Sequence, residues 1–141
     1  MEKRNYNGTD IYVNKFIPFH GYLAMMLFGF IFYRKEYDKY LNDKSYAHKI
    51  SVMINHENIH KEQLKDFGIL FAWCKPLQIL FGGIIFYLLY LGEWIIRLFV
   101  NGPSKAYRNI SFEKEAYVKE SDYQYIEKKR KIFNQWKDYY S

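Results

Sequence analysis

Apolar positions gather in two long stretches of this chain, and the polar segments around them carry helical spacing and turn signals. The first stretch, IYVNKFIPFHGYLAMMLFGFIFYR at residues 11–34, mixes aromatic and β-branched residues with Pro18, Gly21 and Gly29. The 18 residues between Lys15 and Arg34 match a membrane helix in length. Two features favour strands instead. His20-Gly21 reads as a turn, and Phe28, Phe30 and Phe32 recur at period two. The expected element is an N-terminal β-hairpin.

Residues 35–45 are polar, and NDKS offers helix-capping residues. From Tyr46 to about Lys65 there is neither Gly nor Pro, and Ile50, Met53, Ile54 and Leu64 form a helical stripe. The second apolar stretch, residues 67–100, is interrupted only by Lys75, Gln78, Glu93 and Arg97, and NGPS at 101–104 ends it with turn chemistry. A short helix is expected over 111–120, with Ser111 as its N-cap. Another follows ESD, where Ser121 and Gln124 have capping-box spacing, and runs to the chain end. The fold class is α+β: one domain, residues 1–141, with a hydrophobic insertion at 67–100.

The helix over residues 46–65 contains HENIH, residues 56–60, a match to HExxH. At about 100° per residue, His56 and His60 point the same way, about 6 Å apart along the axis. Two imidazoles so placed can bind one Zn²⁺, and Glu57 can reach a water at the metal as a general base without ligating it. Two histidines on a polar helix also arise by chance, so a third ligand decides. His48 lies about 12 Å up the same helix, too far to share a metal, and His20 reads as a turn residue. Downstream, Glu113 and Glu115 stand near the start of a helix, where either completes a His₂Glu set. Acidic residues in a first turn also simply complement the helix dipole.

HExxH followed, after an insertion, by SFEKEAY resembles the gluzincin pattern of integral-membrane metallopeptidases. The likeness is to the CAAX prenyl protease and HtpX families and, more distantly, to the BlaR/MecR sensor peptidases. The chain also resembles small bacterial proteins with an NHExIH…Q helix and an NISFExEAY-like segment, over most of its length. In the peptidase families the third ligand is a Glu opening an E-x-x-A-D helix motif. The resemblance therefore implies a zincin-like domain in which His56, His60 and Glu113 hold Zn²⁺, Glu57 is the catalytic base, and Ala116 matches the small residue. Glu115 is the reserve third ligand. Tyr117 stands where the family has Asp, a residue that steadies a metal ligand by hydrogen bonding and whose loss commonly costs about 10–100-fold. The resemblance thus implies metal binding more firmly than hydrolysis.

If His60 and Glu113 share one metal, the chain between them crosses any membrane an even number of times. The 34 residues from 67 to 100 give about 51 Å of helix, and two crossings need about 60 Å plus a turn. The expectation is a helical hairpin turning near Pro76 or Gly82-Gly83 that dips into one leaflet or packs on the domain. Glu93 and Arg97 pair at i, i+4, and Lys61, Lys65, Lys105 and Arg108 flank the insertion as on a cytoplasmic side. A soluble domain with a buried apolar helix is the alternative.

Composition narrows the classes. The single cysteine, Cys74, excludes an intramolecular disulfide and a four-thiolate metal site. The net charge of +6 and the aromatic, basic tail EKKRKIFNQWKDYY suit nucleic acid or an anionic surface, but no nucleic-acid motif is present. In the tail, Ile126, Phe133 and Trp136 are expected to anchor a C-terminal helix. The N-terminus is polar, with no signal-peptide core, and residue usage points to a bacterial source. The combined expectation is a zinc metallopeptidase acting on peptide or protein substrates at the cytoplasmic face of a bacterial inner membrane. The alternatives are a non-catalytic zinc-stapled protein and a membrane-surface interaction protein.

Overall fold

The computed structural model describes residues 1–140, apart from the side chains of Gln135 and Trp136. Four strands open it: β1 (Glu2–Tyr6), β2 (Thr9–Asn14), β3 (Ala24–Leu27) and β4 (Phe30–Arg34). They form one sheet of order β1-β2-β4-β3, antiparallel within β1/β2 and β3/β4 and parallel between β2 and β4. The expected hairpin is therefore two hairpins joined through a parallel centre. Each turns on a residue pair with positive φ, Asn7-Gly8 and Phe28-Gly29, the backbone that matches strand twist in a two-residue loop. His20 and Gly21 do form a turn, inside the crossover from β2 to β3.

Period-two alternation decides the faces of this sheet. Ile11, Val13, Ile31 and Tyr33 point into the core, whereas Tyr12, Phe30 and Phe32 meet on the opposite face. Against the inner face lies α2 (Ala47–Phe67), which buries Ile50, Ile54 and Leu64. It follows a short α1 (Asp38–Leu41) and a 3₁₀ turn capped by Asp43, whose side chain accepts from the Ser45 N–H. The NDKS segment thus acts as expected, one turn before the main helix begins.

Residues 67–100 do not form a hairpin. A 3₁₀ turn at Ile69–Phe71 leads into one continuous helix, α3 (Lys75–Asn101). Pro76 opens this helix at its first turn, where a missing N–H costs nothing. Gly82 and Gly83 are contact surface rather than a turn. A Cβ on Gly82 would stand 2.3 Å from the Leu64 carbonyl oxygen of α2, and one on Gly83 would stand 2.6 Å from the Phe28 ring. Gly68 reciprocates at 2.1 Å from the Gln78 carbonyl oxygen. Gly82 and Gly68 thereby let α2 and α3 approach backbone to backbone, while Gly83 makes room for the Phe28 ring.

After α4 (Pro103–Ala106), helix α5 (Ser111–Lys119) starts as expected but with a different cap. Ser111 does not cap it with its own side chain. The Glu93 carboxylate of α3 accepts both the Ser111 N–H at 2.9 Å and its hydroxyl at 2.6 Å, while Arg97 pairs with Glu93 at 3.2 Å. The C-terminal helix is likewise not continuous. Asp122, not Ser121, accepts the Gln124 N–H, and two short π-helical segments, Tyr125–Lys129 and Gln135–Tyr139, are separated at Arg130. There the backbone turns extended, and the guanidinium is buried against Asp66 and Glu115. Ile126 packs on buried Ile59, Ala116 and Tyr125, and Phe133 meets Phe67 at 5.3 Å between ring centres. The expected Trp136 anchor lies outside the described residues' side chains.

The helix contact makes a paired prediction. Gly82→Ala should destabilise the fold by about 1–3 kcal/mol or more, because the helices must separate. Gly92→Ala, on the same helix with open space around its Cβ position, should stabilise by up to about 1 kcal/mol through helix propensity. Urea denaturation of both variants measures the difference, and equal effects would refute the close-approach role of Gly82.

Candidate metal centre

Helices α2 and α5 face each other across a small buried space, and three side chains converge in it. His56 and His60, one turn apart on α2, bring their Nε2 atoms to 3.1 Å. Glu113, in the first turn of α5, presents Oε2 at 3.3 Å from His56 Nε2 and Oε1 at 3.3 Å from His60 Nε2. All three residues are buried, and their candidate ligand atoms lie within 4.8 Å of one another. This group can hold a metal ion.

The hydrogen bonds behind the cluster fix which atoms face inward. His56 Nδ1 lies 2.8 Å from the Glu120 carboxylate, an acceptor, so Nδ1 carries a hydrogen. His60 Nδ1 lies 2.8 Å from Gln63 Oε1, and the Gln63 amide group donates to the Phe112 carbonyl and to Glu115. Both Nδ1 atoms are therefore donors, and neutral imidazoles aim two Nε2 lone pairs at a carboxylate. Glu113 Oε1 also accepts from the Tyr90 hydroxyl at 2.6 Å. Its Oε2 is buried and has no hydrogen-bond donor among the described residues. Three electron-rich atoms facing each other away from water require a cation or a proton between them.

Without a metal, a proton takes that place. Burial disfavours a charge on His60, but the Glu113 carboxylate outweighs this and holds the His60 pKa up at about 9. Burial alone would raise the Glu113 pKa, yet the imidazoles, His60 foremost, hold it far below the ordinary range. Glu57 is buried beside the cluster, and burial pushes its pKa up. Its Oε2 accepts the Met26 N–H of β3 at 2.8 Å, which ties the HENIH helix to the sheet edge.

The other candidates fall apart from this centre. Glu115 is not a third ligand: fully buried, it accepts from Gln63 at 2.9 Å, Tyr125 at 2.8 Å and Arg130 at 2.6 Å. His20 is exposed in its turn near Glu36, and His48 is exposed on the first turn of α2. Arg108 stacks 4.3 Å above the Tyr117 ring, whereas Tyr107 lines the same cavity as Glu113. Tyr117 packs edge-on against His56 at 4.7 Å between ring centres and supplies no carboxylate. Glu120, three residues on and on the same helical face as Glu113, makes the bond to a ligand histidine that an acid at 117 was expected to make. Its spacing from Glu113 was the one signal for it. Tyr90 and the Arg130 ion pairs, contributed from distant parts of the chain, left none.

Two outcomes are expected. Glu120→Gln should weaken metal binding by about 10–100-fold, measured by competition with a chromogenic chelator using Co²⁺ or Zn²⁺ as probe; an unchanged affinity would remove Glu120 from the site. The second concerns pH. Because folding raises the His60 pKa, its stabilisation is complete below its ordinary value of 6.5 and is lost as pH rises through about 9. Metal-free protein should therefore lose stability between those pH values, and metal-loaded protein should not show that loss, because the ion displaces the proton. Denaturation with chelator and with added metal tests both arms.

Compared with known proteins, the chain matches no family model, no curated protein and no solved structure.

Proposed function

We propose that this protein is a zinc-dependent peptidase that uses a His₂Glu centre and a glutamate base. The observation that carries the reading is the close approach of the two imidazoles and the carboxylate. Donors about 2.0–2.1 Å from a tetrahedral ion lie about 3.3 Å from one another; here the two Nε2 atoms are 3.1 Å apart, and each has one oxygen of the Glu113 carboxylate at 3.3 Å, Oε2 beside His56 and Oε1 beside His60. Two neutral imidazoles and one carboxylate are also a donor set that suits Zn²⁺ in catalytic sites, where three protein ligands leave one position open.

When bound, zinc supplies Lewis acidity, polarising a peptide carbonyl and making a water molecule more acidic. The chain's own groups supply the remainder. Glu57, with its pKa raised by burial, takes the proton of the attacking water and delivers it to the leaving amine. The Tyr107 hydroxyl, neutral because burial and Glu113 push its pKa well up, donates a hydrogen bond to the carbonyl oxygen as charge develops there. Arg108, the next residue, is turned onto Tyr117 and does not share this role.

A cavity of about 550 Å³ opens beside Glu57, His60 and Glu113, walled by Pro18, Met26, Leu27, Phe86 and Tyr87. Its walls are mainly apolar, and it has room for a large side chain. We assign it to a bulky hydrophobic residue of the substrate next to the cleaved bond.

A zinc-stapled protein without activity would share the ligands but not the need for Glu57. Glu57→Gln should retain zinc at full stoichiometry and lose hydrolysis of a peptide mixture rich in Phe and Leu by about 10²–10⁴-fold. Tyr107→Phe should retain zinc and lose about 10²–10³-fold. Wild-type protein that binds zinc and cleaves nothing in such a mixture would leave the stapling role.

A further inference from the structure

Helix α3 has two faces of opposite character. Gln78, Gly82, Gly83, Phe86 and Glu93 are buried on the domain side. On the other side Phe81, Ile84, Leu88, Leu91, Ile95 and Phe99 recur at three- and four-residue steps, and every one is exposed, Leu88 at 66% and Phe99 at 88%. This stripe runs about 27 Å at 1.5 Å per residue and contains no charged side chain. The helix is long and apolar enough to cross a membrane, yet only 22% of its most apolar window is buried in the protein. A core helix of a water-soluble domain would be mostly covered. A contiguous apolar surface of this kind marks an interaction site.

The contacts of α3 exclude an upright crossing. Gln78 donates to the Lys65 carbonyl at 3.1 Å, Tyr87 to the Met26 carbonyl at 3.1 Å and Tyr90 to Glu113 at 2.6 Å, and Glu93 caps α5. These bonds hold about 23 Å of the helix, from Gln78 to Glu93, along the ligand-bearing domain. An upright α3 would drag the sheet edge and the metal centre into hydrocarbon, where polar groups without partners are strongly disfavoured. The expected requirement that His60 and Glu113 stay on one side is met in another way, with the helix lying down.

We propose that α3 lies in the plane of an anionic bilayer surface, with its Phe81–Phe99 stripe sunk into one leaflet and its opposite face carrying the domain. Charge selects the occupant. Between residues 67 and 110 the sole acid is Glu93, which is buried and paired with Arg97, while Lys75, Lys105 and Arg108 are exposed around the two ends of the helix. Exposed Trp73 and Leu70, in the turn before α3, extend the apolar surface with a residue suited to the headgroup level. In this disposition the metal centre lies about one helix diameter, ~10 Å, from the lipid. The proposal does not depend on catalysis or on the metal.

The test uses the purified full chain and lipid vesicles. Wild-type protein should float with phosphatidylglycerol-containing vesicles, and more weakly with phosphatidylcholine alone or at high salt. The double variant Leu88→Lys/Leu91→Lys should lose at least tenfold in partitioning while keeping the wild-type melting profile, because both positions are exposed. Spin labels at cysteines introduced at 84, 91 and 99, in a Cys74→Ser background, should report the same depth. A profile passing from shallow to deep to shallow would show a crossing helix and overturn the proposal. So would absence of vesicle binding, including the case in which the protein has twice the chain mass and Leu88→Lys/Leu91→Lys halves it, which would assign the stripe to a second copy.

Discussion

Two imidazoles and a carboxylate held face to face out of water set the terms for the rest of this molecule. Leaving Glu113 Oε2 and two Nε2 lone pairs to face one another would cost several kcal/mol, so the fold must deliver a cation or a proton to that point. It must also keep the three groups from turning away. Glu120 and Gln63 pin the rings, Tyr90 pins the carboxylate, and Glu93 fixes where the helix carrying Glu113 begins. Each of these restraints comes from an element whose own placement depends on α2, which is why the glycine contact between α2 and α3 matters beyond its size.

Behind the rings lies a second layer of charge. Arg130 is buried between Asp66 and Glu115, and Glu115 in turn holds the Gln63 amide that orients His60. Buried ion pairs contribute little net stability once desolvation is counted, and their clearest use is to specify one arrangement over others. Here the arrangement specified is the path of the C-terminal segment, which abandons helical geometry at Arg130 to reach the two acids. A reading of periodicity alone sees a continuous helix there, since the local spacing favours one and the buried acids are over sixty and fifteen residues away.

The features legible in the sequence share one property: their signal is local. HENIH shows its geometry within one turn, Glu113 within one short helix, and β4 by alternation over five residues. Strand β1 was missed because EKRNY is polar on both faces, as suits an edge strand that needs no core side. Gly82-Gly83 was misread as a turn because glycine signals permissive backbone and tight approach with the same letter. Only the facing chain, Leu64 on one side and Phe28 on the other, tells the two apart. By residue type and position alone Glu113 and Glu115 looked alike, and only the resemblance put Glu113 first; their separation by two positions on a helix sends them to different neighbours.

The continuity of α3 also has a consequence for the integrity of the protein as a unit. The most hydrophobic part of the chain would ordinarily be treated as a detachable anchor, something evolution or an engineer can trim to obtain a soluble catalytic core. Tyr90 and Glu93 make that impossible here. They sit in the middle of the greasy segment, and one steadies the carboxylate of the centre while the other seats the helix that bears it. The apolar helix and the site it braces are one object, and a lineage that shed the first would shed the second with it.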